Sequence, residues 1–358
     1  MKILIFALSG IGDALMFTPS IKLLRESYPD AQIDALCMFG GVRDIYKRNE
    51  NLNNILYYNF MKEGAAKSLL YLLKLRGQYD LSINVYPANR KEYNLFSFLV
   101  GAKKRAAVDY LRMNGSNLSF LNNIRIKEND KLHNVEENLL LCKKITGKEL
   151  NERPSLEFPL ISEDIDAAKI FFSESRIAES DIVIGFHPGC ATLKNHIKRR
   201  WEPEKFIELG RKLIKEYGAK VLIFGGPEES QLKNEVKTGI ASDSAYVVET
   251  KDLAKSAAIM KRCNLFITND SSLMHVASAL RLNVIAIIGP TNTNYIHPWN
   301  TEHRIVSLNL ECAPCFFYSP RPLICHREDV KFKCIKELSV EMVLKTAASF
   351  LKEIKNVS

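Results

Sequence analysis

No stretch of this 358-residue chain is apolar for the ~18 residues that a membrane-spanning helix needs. The short run Ile3–Leu8 is followed by Asp13, and no small-x-small cleavage site comes after it. A buried first strand, rather than a secretory signal, is therefore expected. Zinc-finger spacing with paired histidines is missing, as is any aromatic-basic RNA motif, which sets nucleic acid aside as a partner. Low-complexity tracts and internal sequence repeats are also lacking, so neither disorder nor a solenoid is expected. What remains is ordinary globular material, 46% hydrophobic and 25% charged. Its length suits two α/β cores better than one.

The charge balance is basic, with 50 Lys and Arg against 41 Asp and Glu and a formal net charge of +9. Such a surface suits a phosphorylated substrate or an anionic membrane and does not choose between them. The protein is expected in the cytoplasm, in peripheral contact with a membrane face if it meets one. Of the eight cysteines, Cys37, Cys142, Cys190 and Cys263 are scattered and read as reduced residues. Cys312, Cys315, Cys325 and Cys334 gather near the C-terminus.

Apolar runs of strand length alternate with helical periodicity from the first residue onward. Lys2–Leu8, Gln32–Cys37, Ile55–Phe60 and Leu81–Val85 read as strands, with helices over Ala14–Glu26 and Ala65–Leu75. Segment 86–131 looks less regular and carries turn signals at Pro87, Asn89, Gly101 and Asn114-Gly115. A helix over Val135–Thr146 closes the first domain, and Glu152–Pro159 begins a linker. The rhythm restarts at Asp181–His187. Strands then follow at Lys220–Gly225, Ala245–Val248, Leu265–Thr268 and Val284–Ile288. Helices alternate with them at Pro203–Glu216, Glu228–Gly239, Leu253–Lys261 and Leu273–Leu280. An amphipathic helix over Val340–Ile354 ends the chain. This βαβα pattern predicts parallel sheets covered by helices on both faces.

Four loops at strand ends carry candidate chemistry. Ser9-Gly10-Ile11-Gly12-Asp13 follows the first strand, and its glycines allow a sharp turn and close approach to a ligand. Leu15 stands where a dinucleotide fingerprint needs its third glycine. Asp13 would also repel a pyrophosphate, so a nicotinamide cofactor does not fit. A tight turn with Asp13 favouring the helix dipole accounts for the same residues. Phe186-His187-Pro188-Gly189, followed by Lys194, Lys198, Arg199, Arg200 and Trp201, offers cations for a diphosphate, or is a solvated basic loop. Phe224-Gly225-Gly226-Pro227-Glu228-Glu229 places a glutamate where it would accept ribose hydroxyls or favour a helix dipole. Thr268-Asn269-Asp270-Ser271-Ser272-Leu273-Met274-His275 is the most informative. A helix start after a strand binds phosphate through its amides, and serine hydroxyls add donors. Capping explains Asp270 and the serines but not a histidine on the first turn. Gly289-Pro290-Thr291 adds one more glycine-bearing loop.

These landmarks, in this order and spacing, resemble glycosyltransferase family 9, the heptosyltransferase-type enzymes of bacterial lipopolysaccharide cores. The resemblance implies an α/β GT-B fold, two Rossmann-like domains facing across a cleft. Residues 1–160 would form an acceptor domain around Gly10 and Gly12. Residues 161–338 would form the nucleotide-sugar domain with the cysteine-containing tail, and 339–358 the closing helix. It also implies that Asp13 is the general base. The donor would be held by Lys198 or Arg199, Glu229, Asp270, Ser271, Ser272, Leu273, His275 and Thr291. The family's usual lysine two before the tryptophan is Arg199 here, with Lys198 adjacent, so either cation fits the phosphate. The implied reaction is an inverting transfer of a sugar, a heptose from ADP-heptose, to a phosphorylated glycolipid or oligosaccharide of the lipopolysaccharide core. It takes place at the cytoplasmic face of the inner membrane, with no catalytic metal or cofactor.

Two other functions share the pattern: a nucleotide-sugar 2-epimerase of the same architecture, and a non-catalytic bilobed sugar-binding protein. Asp164-Ile165-Asp166 is expected on a polar, solvated linker helix and not at a manganese site. The tail cysteines Cys312, Cys315, Cys325 and Cys334 would suit a structural zinc, since four thiolates can bind it tetrahedrally. The spacing of the last two matches no familiar knuckle, so four reduced thiols remain the other reading. Positions 90–131 carry nine basic and four acidic residues. A phosphorylated acceptor, an anionic membrane or a plain solvated surface would each explain that excess.

Overall fold

The computed structural model describes residues 1–87, 90–113, 115–250, 252–317 and 322–357. The turn signals at Asn89 and Asn114 lie outside the described residues. Contacts divide the chain into two compact units, one spanning Met1–Pro159 and the other beginning at Leu160. The first holds β1 (Lys2–Ala7), β2 (Gln32–Cys37), β3 (Asn54–Tyr57), β4 (Leu81–Asn84), β5 (Lys104–Asp109) and β6 (Ile124–Lys127). They form one parallel sheet in the order β3-β2-β1-β4-β5-β6.

The second unit holds β7 (Val183–His187), β8 (Lys220–Ile223), β9 (Ala245–Val247), β10 (Leu265–Asn269), β11 (Val284–Ile287) and β12 (His303–Val306). Its sheet is also parallel, in the order β12-β11-β10-β7-β8-β9. Counted within its own unit, each sheet reads 3-2-1-4-5-6, the doubly wound dinucleotide-type order. The topology therefore repeats although the sequence does not. In each sheet the direction of winding reverses once, between β1 and β4 and between β7 and β10. Ligands of open α/β sheets bind at such reversals, outside the carboxyl ends of the strands.

Helices cover both faces of these sheets, so the central strands are buried throughout and read as unbroken apolar runs. The helix Pro203–Tyr217 illustrates the local rules. Pro203 opens it, Phe206, Leu209, Gly210 and Leu213 form its buried stripe, and Gly218 closes it at φ 64°. Trp201, fully buried ahead of that helix, meets Phe206 edge-on at 5.0 Å and donates its indole N–H to the Leu338 carbonyl at 2.9 Å. Burying a large apolar side chain of this kind contributes about 1.5–3 kcal/mol. The closing helix Val340–Val357 places Val343, Ala347, Phe350 and Leu351 in the same core.

Several expectations need correction. Segment 86–131 is not irregular: it contains a helix, Lys91–Val100, as well as β5 and β6. The helix was hidden because part of its buried face is polar. Asn94 and Ser97 are buried and bond to Asn84 and Ser82 at 2.8 Å each. The helix Gly40–Tyr46 and strand β12 also lacked a hydropathy signal. Asp164 is not on a solvated face. It is 1% exposed and accepts the Ile161 N–H at 3.0 Å, fastening the start of its own helix, Ser162–Glu174. Asp166 on the same helix is exposed and pairs with Lys169 at 2.9 Å.

Candidate functional site

In the first unit, the last β1/β4 pair is Phe6 and Asn84, so the loops after these strands emerge side by side. The Ser9 hydroxyl ties them together by donating to the Pro87 carbonyl at 2.8 Å. Gly10 is the extended residue before the helix Ile11–Ser27, and its N–H donates to Asp13 Oδ2 at 3.1 Å. That bond realises the capping role of Asp13 and at the same time fixes the carboxylate at the strand edge. Tyr46 and Tyr93 flank it. Their hydroxyls donate to the Ala14 and Leu8 carbonyls at 3.0 and 2.9 Å. Burial raises both phenols, and the Asp13 charge adds to the rise. Gly41 lies so close that a Cβ there would stand 2.6 Å from Ile11 Cδ1. A larger residue at position 41 would force the Ile11 side chain to move.

In the second unit, Thr268 pairs with His187 across β10 and β7, which sets the two following loops next to each other. His187, at the end of β7, bridges the loop after β10 and the turn after β8. Its Nδ1 lies 2.8 Å from Ser271 Oγ and its Nε2 lies 3.0 Å from Glu229 Oε2. Ser271 makes no capping bond to the helix Ser272–Ala279; its hydroxyl meets His187 and, at 3.1 Å, Thr268. The helix start therefore keeps its dipole and first-turn amides directed at this edge. Glu229 closes the turn after β8 and stands at the N-cap of the helix Ser230–Ile240. Burial pushes its pKa up, but His187, the Gly226 N–H and Arg200 outweigh that and hold it below the usual carboxylate value. Gly189 leaves room for the Glu229 carboxylate in this position, because a Cβ would fall 1.7 Å from its Oε1.

A second polar group lies on the same edge. Arg199 and Asp270 form a buried ion pair, their side chains 7% and 8% exposed. Asp270 also accepts the Thr291 hydroxyl at 2.6 Å, and the Arg199 guanidinium lies 5.3 Å from the Phe316 ring centre. Asn269 braces the floor: it accepts the Trp201 N–H at 2.9 Å and donates to the Pro188 carbonyl at 2.8 Å. Lys198 is exposed, so of the two adjacent cations Arg199 is consumed inside the site and Lys198 faces solvent. Ser272 is half-buried and Leu273 buried. His275 is 4% exposed and, among the described residues, its Nδ1 has no hydrogen-bond partner. Burial lowers its pKa to about 4, so it enters the site as a neutral imidazole and not as a cation.

The tail reaches this edge too. Cys315 and Phe316 donate their N–H groups to the Pro290 carbonyl at 3.0 and 2.9 Å, and Phe316 bridges to Thr291. Cys334 is buried, close enough that a Cβ on Gly289 would lie 3.1 Å from its sulfur. Its thiol is pushed up to about 11 by burial and then by the other three tail cysteines. Among the described residues, no three His, Cys, Asp or Glu side chains are placed to hold a metal ion.

The structure thus brings Arg199, Asp270 and Thr291 into one contact group, and Glu229 and Ser271 into another around His187. Gly10, Gly12 and Asp13 belong to the first unit. In the sequence, Arg200 stands among the cations offered for a diphosphate, His187 and Asn269 lie in the candidate loops without a role of their own, and Phe316 goes unmarked. His187 and Asn269 are the last residues of their strands, a signal that becomes informative only once β7 and β10 are known to be neighbours.

A family model matches residues 72–321, and its description is glycosyltransferase family 9 (heptosyltransferase). The chain belongs to glycosyltransferase family 9. It is accordingly a glycosyltransferase, which sets aside the epimerase and the non-catalytic binding protein. A lipooligosaccharide heptosyltransferase 2 of Campylobacter jejuni is 26% identical, over 98% of this chain and 99% of that protein. Among solved structures, the Escherichia coli ADP-heptose heptosyltransferase II superposes with a TM-score of 0.74 at 20% identity, covering 99% of this chain and 100% of that one. A family 9 glycosyltransferase from Veillonella parvula gives the same TM-score and identity over 98% and 97%. These structures share the GT-B fold described above. Among the described residues, no helix is long and apolar enough to cross a membrane.

Proposed function

We propose that this family 9 enzyme transfers a heptose from ADP-heptose, with inversion and without a catalytic metal, to a sugar of a lipopolysaccharide core or a related glycan. The observation that carries the reading is the β7/β10 edge, where a helix N-terminus, a cationic loop and an ionised glutamate converge at the winding reversal of one sheet. A helix start favours a diphosphate, and an ionised carboxylate favours ribose hydroxyls. The Campylobacter jejuni and Escherichia coli relatives, which are named heptosyltransferases, suggest the sugar.

Asp13 takes the proton of the acceptor hydroxyl as its oxygen attacks the anomeric carbon. The bond to the diphosphate breaks on the opposite face, so the configuration inverts and the nucleoside diphosphate leaves. Lys198 and the amides at Ser272 and Leu273 stabilise the charge that grows on it, while Arg199 holds Asp270 in position. Glu229 accepts the ribose hydroxyls, and neutral His275 serves as a hydrogen-bonding group. No step calls for a metal or cofactor. Residues 1–160 then serve the acceptor and 161–338 the donor. The acceptor is a phosphorylated glycolipid met at the cytoplasmic face of the inner membrane, consistent with the basic excess of the chain.

Calorimetry and product analysis test this together. ADP should bind at micromolar to millimolar strength in excess EDTA. Asp13→Asn should lose transfer by ~100-fold or more with ADP affinity unchanged, the loss expected of a missing general base. ADP binding that disappears with EDTA, or an Asp13→Asn variant that keeps more than about a tenth of its turnover, would reject the mechanism.

A further inference from the structure

The helix Ala65–Lys74 is apolar on two opposite sides. Ser68 and Leu72 are buried, with Tyr71 packed partly buried against the sheet core. Leu69, Leu70 and Leu73 are 43%, 61% and 42% exposed. At about 100° per residue these three fall within one ~100° arc on the outer side of the helix. A surface helix of a globular protein normally shows polar residues there. The neighbouring helix Lys91–Val100 lies on the same face of the sheet, since Leu72, Tyr93 and Val100 share one core cluster. Arg76 joins the ends of the two helices by donating to the Leu99 carbonyl at 3.2 Å. The second helix exposes Leu95 and Phe98, and Met61 stands exposed just ahead of the first.

The border of this apolar face is cationic. Lys62, Lys67 and Lys91 lie toward one end, and Lys74, Arg76, Lys103 and Lys104 toward the other, all exposed. The Arg105 guanidinium lies 5.7 Å from the Phe98 ring centre. Residues 61–105 hold nine basic and three acidic side chains. One of the acids, Glu63, lies 3.6 Å from Lys67, and another, Asp80, accepts the Lys2 N–H at 2.8 Å.

We propose that this outer face of the first unit is a membrane-docking surface, its leucines and Phe98 entering the interface of an anionic bilayer while the surrounding lysines and arginines meet the headgroups. The proposal rests on the reading that the acceptor is a glycolipid, and assigns the surface by which the enzyme reaches it. Apolar side chains flanked by long cationic ones match the boundary between acyl chains and anionic headgroups. A second copy of the chain fits poorly, because a two-fold contact would set the same cationic border against itself.

Sedimentation of the full chain with phospholipid vesicles tests the surface. Wild type should bind vesicles containing one quarter phosphatidylglycerol at least about tenfold more tightly than pure phosphatidylcholine, and high salt should weaken that binding. Leu70→Glu with Leu73→Glu should reduce it about tenfold or more, with thermal stability and ADP affinity unchanged. Lys67→Glu with Lys74→Glu should abolish the preference for anionic vesicles, and carries the test alone if the leucine variant loses stability. Equal binding of wild type to both vesicles, or variants that bind as wild type does, would overturn the proposal. So would light scattering that shows a wild-type dimer split by the leucine substitutions. Vesicle binding without sugar transfer would leave the surface standing and reject the enzymatic reading. Transfer to a lipid-free acceptor without vesicle binding would do the reverse.

Discussion

Removing the Arg199 guanidinium should expose how the second polar group is held together. Arg199→Met keeps most of the apolar stem but leaves Asp270, 8% exposed, with Thr291 as a remaining hydrogen-bond donor at 2.6 Å. Breaking a buried ion pair from one side typically costs about 3–5 kcal/mol, because the survivor is an uncompensated buried charge. The contact between the guanidinium and the Phe316 ring adds a smaller loss of about 0.5–1 kcal/mol. For a unit of this size each kcal/mol moves the melting temperature by about 2–4 °C, so the combined loss of about 3.5–6 kcal/mol predicts a fall of roughly 7–24 °C. Asp270→Asn alone should be harmful as well, since it strands the arginine instead. The double variant, Arg199→Met with Asp270→Asn, buries no charge and still accepts the Thr291 hydroxyl. It should recover most of the loss, giving a coupling of at least about 2 kcal/mol in a double-mutant cycle. Thermal unfolding of the four proteins at one pH and salt concentration measures this. A single-variant loss below about 1 kcal/mol, the size expected of an exposed pair, would refute the reasoning. A double variant no more stable than Arg199→Met would refute it too.

His275 should make the protein sensitive to acid. Its pKa is lowered to about 4 by burial, so the native chain keeps it neutral while the unfolded chain takes a proton below about 6.5. Its contribution is therefore complete above that value and is lost as pH falls toward 4, amounting to about 2 kcal/mol between pH 7 and pH 5. Glu137, raised to about 7 by burial, acts in the opposite sense. The measurement is thus the difference between wild type and His275→Asn in urea unfolding across that range, and equal slopes would reject the assignment. The tail is tested by elemental analysis and thiol titration without added metal. Thiols placed as described leave no stoichiometric zinc, with Cys312 and Cys315 reacting quickly and buried Cys334 slowly. One zinc per chain, lost on Cys315→Ser, would instead show that the four cysteines close around a metal.

Much of this protein is legible in its sequence because parallel sheets covered on both faces must be written as continuous apolar strands. Strands β1, β7, β10 and β11 and the helix Pro203–Tyr217 stand out for that reason, and the glycine-bearing loops after β1, β7 and β11 mark where a ligand belongs. The helix Lys91–Val100 does not stand out. Asn94 and Ser97 on its buried face are satisfied by hydrogen bonds to Asn84 and Ser82, which hydropathy cannot register. The motif around Asp270 was visible, but its partners were not. His187 meets Glu229 and Ser271 across 42 and 84 residues of sequence, and Arg199 meets Asp270 across 71. Such pairs depend on the strand order, which sets β7 beside β10. Strand order depends in turn on how crossovers pack, and no local pattern encodes it. Likewise, the sequence shows that Arg199, Lys198 and His275 have the right chemistry for a phosphate. Only the tertiary structure decides that Arg199 is spent on a carboxylate, that Lys198 faces solvent, and that burial leaves His275 uncharged.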